Sequence, residues 1–239
     1  MERMYNLLSP QKDKQYLDIG CGTGNYTIAL VKKGMQFTGV DPSEVMLTEA
    51  KAKSSKVEWV SGIAENIPFN DETFNGALGI LTLHHWQHIE NGLKELFRVL
   101  QPKSKLVFFT SSPEQMEGYW LNHYFPRLIK VSGEKMPSVE KVTELAQNAG
   151  FNFVEVENYF VKPDLQDLFL HSGKHNPELY FKEEIRKGIS TFAALSNKAE
   201  VEKGLAHLRE DIDSGKFESI KQQYENNKGD YCFVVFEKP

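Results

Sequence analysis

Residues 17–24 read LDIGCGTG, so an acid, Asp18, stands just ahead of three glycines at alternate positions, Gly20, Gly22 and Gly24. A glycine-rich turn after a strand lets backbone N–H groups approach a ligand closely, and pyrophosphates commonly use such turns. The spacing argues against a dinucleotide, whose site needs G-x-G-x-x-G so that the third glycine packs helix on strand. Asp18 also falls inside the end of the first apolar run, where a dinucleotide fold keeps an apolar residue. Its carboxylate either braces the loop or reaches a cationic ligand group. Asp41 closes the next apolar run, twenty-one residues beyond Gly20, and an acid there can accept from both hydroxyls of a ribose. Together these residues suit a nucleoside with a cationic amino-acid tail better than a dinucleotide.

Other reactive side chains are less specific. His84 and His85 follow GALGILTL (76–83), at a strand end of the kind that borders ligand crevices in α/β sheets. Either could touch a substrate or act as a base, and either could equally be structural. Cys21 reads as a small loop filler. His171 and His175 share the segment FLHSGKHNPELY (169–180), but nothing completes a ligand set, so no metal is expected. YWLNHYF (119–125) is either core or the wall of a substrate pocket.

The scaffold must bring these strand ends side by side. QYLDI (15–19), QFTGV (36–40), VEWV (57–60), GALGILTL (76–83) and KLVFFT (105–110) read as strands. Between them, NYTIALVKKG (25–34) predicts a helix ended by Gly34 and SEVMLTEAKAK (43–53) one capped by Ser43. IENGLKELFRVL (89–100) predicts a third, with Leu93, Leu96, Phe97 and Leu100 on one face. This alternation requires crossovers, hence a doubly wound, mostly parallel sheet covered on both faces. Beyond Thr110 the rhythm changes. Residues 111–137 are aromatic and irregular, 138–151 read as a helix, 152–157 as a sixth strand and 230–237 as a seventh. The span between the last two strands is helical by pattern. Phe181, Ile185, Ile189 and Phe192 share one face there, and Val201, Leu205, Leu208 and Ile212 another. The expected fold class is α/β, with seven strands and a helical insertion before the last strand.

Composition narrows the partners. The 239 residues carry a net charge of −5, and 158–228 hold eleven Lys and Arg against twelve Asp and Glu. Nucleic-acid binding rests on clustered positive charge, so such a partner is not expected. No apolar run reaches membrane-spanning length and no secretory leader opens the chain. The two cysteines, Cys21 and Cys232, are far apart, as in proteins of a reducing compartment. The expected address is cytoplasmic, with no membrane partner.

LDIGCGTGNYT, GVDPSEVML and AENIPFNDETFNGALGILTLHH resemble class I S-adenosylmethionine (SAM)-dependent methyltransferases. The likeness is strongest to the group containing quinone-biosynthesis and other small-molecule methylating enzymes, and it covers about residues 15–110 well. It implies a Rossmann-like sheet, with SAM as cofactor and S-adenosylhomocysteine as product. The resemblance puts Gly20, Cys21 and Gly22 against the methionine moiety, Asp18 near its ammonium group and Asp41 on the ribose. Pro42 and Met46 would flank the adenine, the turn Gly62, Ile63, Ala64 and Glu65 would face its edge, and Leu81 completes the set. Family members often have an Asp where Ile63 stands, so adenine recognition here falls to backbone groups or to Glu65. QPKSK (101–105) replaces a Pro-Gly-Gly turn, and Asn75 a common Asp.

The resemblance implies a single methyltransferase domain over 1–239. Insertions at 111–137 and 158–228 are expected to form a lid over a small-molecule acceptor. Methylation of RNA or protein, and a non-catalytic SAM-binding regulatory role, are the alternatives. A homodimer is compatible with the sequence.

Overall fold

A computed structural model describes residues 2–165, 167–195 and 198–239. Met1 and three residues of the predicted helical insertion, Gln166, Ser196 and Asn197, lie outside the described residues. The chain runs through α1 (Glu2–Leu8), β1 (Gln15–Ile19), α2 (Asn25–Val31), β2 (Gln36–Asp41), α3 (Glu44–Lys53), β3 (Glu58–Ser61), β4 (Phe74–Ile80), α4 (Ile89–Val99) and β5 (Leu100–Thr110). It continues through α5 (Pro113–Glu117), α6 (Leu121–Tyr124), α7 (Pro126–Gly133), α8 (Val139–Asn148) and β6 (Asn152–Tyr159). Helices α9 (Glu183–Gly188), α10 (Ser190–Leu195), α11 (Lys198–Asp213) and α12 (Phe217–Gln223) precede the last strand, β7 (Tyr231–Glu237).

The seven strands form one sheet in the order β3-β2-β1-β4-β5-β7-β6. β1 pairs in parallel with β2 and β4, β2 with β3, and β4 with β5. β7 runs against its neighbours. Lys103 and Ser104, early in β5, bond to the backbone of Lys238 just past β7, while Phe109 near the end of β5 packs on Phe233. On the other side, Asp230 bonds to Tyr159 at the end of β6, whereas Phe153 near its start faces Phe236. Strand order reverses between β1 and β4, the point where open α/β sheets leave a crevice at their carboxyl ends.

The central strands are buried along their length, with Leu17 and Val40 wholly inaccessible, which explains their unbroken apolar runs. Ser43 caps α3 as its position suggests, its Oγ accepting from the Met46 N–H at 3.4 Å. On α4, Leu93, Leu96 and Val99 are buried, and each such side chain contributes about 2 kcal/mol by leaving water.

Two sequence-based boundaries shift for visible reasons. The fourth strand ends at Ile80 rather than Leu83 because Leu81 takes a left-handed backbone, φ 49°. The chain then turns through a short 3-10 helix, Leu83–His85. Leu100 belongs to β5 instead of α4, and QPKSK is a bulge in that strand: the register jumps from Phe74–Leu100 to Gly76–Lys105.

The chain divides into two compact units. The first comprises residues 1–110, 138–157 and 233–239, and so carries most of the sheet with α1–α4 and α8. The second comprises 111–137 and 158–232 and has a core of its own. There Tyr119, Trp120, Leu121, Tyr124 and Phe125 are all buried, so YWLNHYF is core.

Candidate functional site

The first unit contains a cleft of about 470 Å³, within the roughly 300–1,000 Å³ usual for small-molecule sites. Every segment lining it follows the carboxyl end of a parallel strand. The loop after β1 supplies Gly20 and Gly22, the end of β2 and the turn after it supply Asp41, Pro42 and Ser43, and the first turn of α3 supplies Met46. The turn after β3 brings Gly62, Ile63, Ala64 and Glu65; the segment after β4 brings Leu81, Thr82, His85, Trp86 and Gln87.

The glycine loop is shaped by its neighbours as much as by any ligand. Gly20 has φ 73°, and a Cβ there would stand 2.0 Å from Thr82 Oγ1. Gly24 has φ 75°, and its Cβ would meet the Trp59 ring at 2.2 Å. Gly22 alone opens onto free space. Its N–H donates to Asp41 Oδ2 at 2.8 Å, while the Ser43 N–H donates to Asp41 Oδ1 at 2.9 Å. Asp41 is thereby locked in place with both oxygens oriented. A carboxylate offers about four lone-pair positions, so two acceptor positions remain for a diol.

Asp18 does not line the cleft. It is buried, and Thr27 of α2 donates to its Oδ2 at 2.5 Å. Oδ1 has no hydrogen-bond partner among the described residues. Burial, opposed by the Thr27 bond and aided by the charge of Asp41, raises its pKa to about 6. The acid therefore braces loop against helix, and its orphaned oxygen is the nearest thing here to an unspent anionic acceptor. Cys21 likewise stays off the cleft surface and packs with Leu47, Ala50, Val57 and Trp59. Burial, together with Asp18 and Asp41, drives its thiol pKa upward, so the sulfur is unreactive.

The turn after β3 is held from outside. Arg98 of α4 donates to the carbonyls of Ile67 and Phe69 and pairs with Asp71 and Glu95, while Glu95 accepts the Ile67 N–H. Glu65 Oε1 accepts the His88 N–H at 2.9 Å. Among the apolar side chains lining the cleft, Met46 and Ile63 are 43% and 47% exposed.

Of the two histidines, His85 lines the cleft and His84 does not; their rings lie 4.0 Å apart. Thr82 and Trp86, missed from the sequence, form a linked pair, the indole N–H donating to Thr82 Oγ1 at 3.1 Å. A polar residue and an aromatic flanking His84–His85 were the available signal.

In the second unit, His171 is fully buried, stacked on Tyr119, and bonded through Nδ1 to the Tyr231 hydroxyl at 2.9 Å. Burial lowers its pKa to about 3, so it is neutral. His175 Nε2 is spent on the Val161 carbonyl at 2.7 Å. Among the described residues, no group of three or more His, Cys, Asp or Glu could hold a metal ion, and no helix is long and apolar enough to cross a membrane.

A family model described as a methyltransferase domain matches residues 17–108. The chain is 32% identical over 183 residues to a demethylmenaquinone methyltransferase of Staphylococcus epidermidis, covering 72% of each. It is 26% identical over 199 residues to a ubiquinone/menaquinone biosynthesis C-methyltransferase UbiE of Cereibacter sphaeroides, covering 72% of this chain and 78% of that one. A solved structure from Anabaena variabilis ATCC 29413, described as a methyltransferase assigned to an antibiotic biosynthesis pathway, matches with a TM-score of 0.87. Its identity is 34%, over 100% of this chain and 96% of that one.

Proposed function

Because the chain belongs to the class I SAM-dependent methyltransferases and transfers the cofactor's methyl group to a small molecule, we propose that its acceptor is of quinone type. We assign the donor site to the cleft of the first unit. The single observation that carries the donor site is Asp41, fixed by two backbone N–H bonds with acceptor capacity left over. Met46 and Ile63 would sandwich the adenine, Glu65 or turn backbone would take its edge, and the Gly20–Gly22 backbone would line the aminoacyl tail. Asp18 acts through the loop that it braces.

Bound SAM supplies a methyl group already activated on a sulfonium. The protein's task is then alignment and exclusion of water, and alignment alone can supply roughly 7–11 kcal/mol of a barrier. His85, on the cleft, is the candidate to take a proton from an acceptor that must lose one. The names of the relatives from Staphylococcus and Cereibacter support a quinone-type acceptor. The second unit, formed by the two insertions, is proposed as the lid that selects it.

The test is S-adenosylhomocysteine release from SAM across a panel of short-chain demethylated naphthoquinols, phenols and amines. Turnover confined to the naphthoquinols supports the assignment; turnover confined to amines refutes it. Deleting 165–225 should leave SAM binding and abolish acceptor turnover. A cytoplasmic enzyme that leaves macromolecules alone belongs to the same proposal: methyl-tritiated SAM should label neither RNA nor protein, and sedimentation reads whether a homodimer forms.

A further inference from the structure

The second unit has a groove of about 530 Å³, made from different elements than the donor cleft. One side is the end of α6 and start of α7, with His123, Tyr124 and Arg127; the other is α11, with Glu200, Lys203 and His207. We propose that this groove binds a phosphate-bearing ligand, separately from the methyl donor.

Four observations carry it. Lys203 and His207 are spaced i, i+4 on α11, so their side chains share one face and aim into one space. Glu200, the one carboxylate on the groove among the described residues, is already engaged, since its Oε1 accepts the Leu128 N–H at 3.0 Å and closes the first turn of α7. Arg127 and Lys203 make no ion pair among the described residues, although eleven Lys or Arg ion pairs form elsewhere among them. Finally, Gly204 brings α11 against α6: a Cβ there would lie 2.4 Å from Phe125 and 2.6 Å from the Tyr124 carbonyl.

The result is an open groove with a guanidinium on one side and an ammonium on the other. A guanidinium fork matches two phosphate oxygens at once, and an ammonium adds a point charge. The volume admits more than a bare ion, so the ligand has an organic part next to its phosphate. It can be a soluble phosphorylated molecule or a phospholipid headgroup, and the chemistry read by Arg127 and Lys203 is the same.

The experiment uses the full chain, as wild type and as the Arg127→Ala/Lys203→Ala variant. Calorimetric titration with inorganic pyrophosphate, at fixed low ionic strength, is run beside sedimentation with vesicles of phosphatidylglycerol and of phosphatidylcholine. SAM affinity and the urea midpoint serve as folding controls. Pyrophosphate binding to the wild type, weakened at least tenfold in the variant with both controls unchanged, supports a soluble phosphorylated ligand. Retention on phosphatidylglycerol but not phosphatidylcholine vesicles, lost in the variant, supports a headgroup. Neither probe binding, or both binding the variant equally well, overturns the proposal whatever the fate of the donor-site assignment. Should the double variant fail the urea control, Lys203→Gln alone is read by the same titration, with at least a threefold loss expected.

Discussion

Replacing Asp41 by Asn separates its two duties. In the wild type, Oδ2 takes the Gly22 N–H and Oδ1 the Ser43 N–H. An amide has only one acceptor oxygen, so Asn must turn an NH2 toward one of those two donors. One loop bond is lost and a donor faces a donor, in a side chain only 8% exposed, which costs about 1–3 kcal/mol of stability. The negative charge proposed to receive the ribose hydroxyls also disappears. Hydrogen bonds to charged groups contribute about 1.5–3 kcal/mol, so SAM affinity should fall about 10- to 150-fold.

Loop disorder alone would lower affinity for every ligand of the cleft, so the magnitude must be split. Calorimetry with adenosine and 2′-deoxyadenosine does this. The wild type should prefer adenosine clearly, and the variant should show most of that preference gone. A folded Asp41→Asn protein that binds SAM as tightly as wild type, with its preference for adenosine intact, would refute the assignment of Asp41 to the ribose.

Three further outcomes follow from the same geometry. Asp18 titrates near 6 in the folded protein against an ordinary 3.8, so the folded state holds the extra proton between those values and stability falls as pH rises through that window. Asp18→Asn should therefore gain on wild type by up to about 3 kcal/mol between pH 4 and pH 7.5; equal offsets in urea unfolding at both pH values would count against it. Gly24→Ala should cost about 3 kcal/mol, from a left-handed backbone and a Cβ driven into Trp59. Gly22→Ala, with open space around it, should cost only about 1–2 kcal/mol in stability yet lose most SAM affinity. Thermal melts and titrations on the pair distinguish the two, and the reverse ranking would sink the division of labour. Ile63→Asp should tighten SAM by about 0.5–1.5 kcal/mol, since the position is half exposed at the cleft and an acid there can accept from the adenine amino group; unchanged affinity would show that another group already does so.

Much of the first unit was legible because its signals are local. β1 covers the segment read from its apolar content, Gln15–Ile19, and Ser43 caps α3 through its own next turn. The residues proposed for the ribose and adenine, from Asp41 to Glu65, lie at strand ends that a parallel sheet must align. What escaped depends on partners distant in sequence. The strand break at Leu81 is a backbone state that Leu disfavours, so no propensity announces it. The bulge at QPKSK exists because Lys103 and Ser104 bond to Lys238 at the far end of the chain. The aromatic segment 119–125 has the same composition whether it walls a pocket or fills a core, and only the packing of Tyr180, Phe192 and Leu208 around it decides.

The alternating glycines show where local reading stops. Their spacing argues against a dinucleotide and, with Asp18 and Asp41, points to a different nucleoside, but it says nothing about why each glycine is needed. Gly20 is required by Thr82, sixty-two residues on, and Gly24 by Trp59, thirty-five residues on; only Gly22 has the space beyond its Cα to itself. The motif thus combines two packing constraints with one opening onto the cleft. That is also why Asp18, just ahead of the glycines, and Cys21, between two of them, face away from it. In a loop this tight, each side chain that turns toward the protein fixes the direction in which the intervening backbone N–H groups point. Thr27 on Asp18 and the Trp59 cluster on Cys21 set that direction, and the Gly22 N–H is aimed at Asp41 as the consequence.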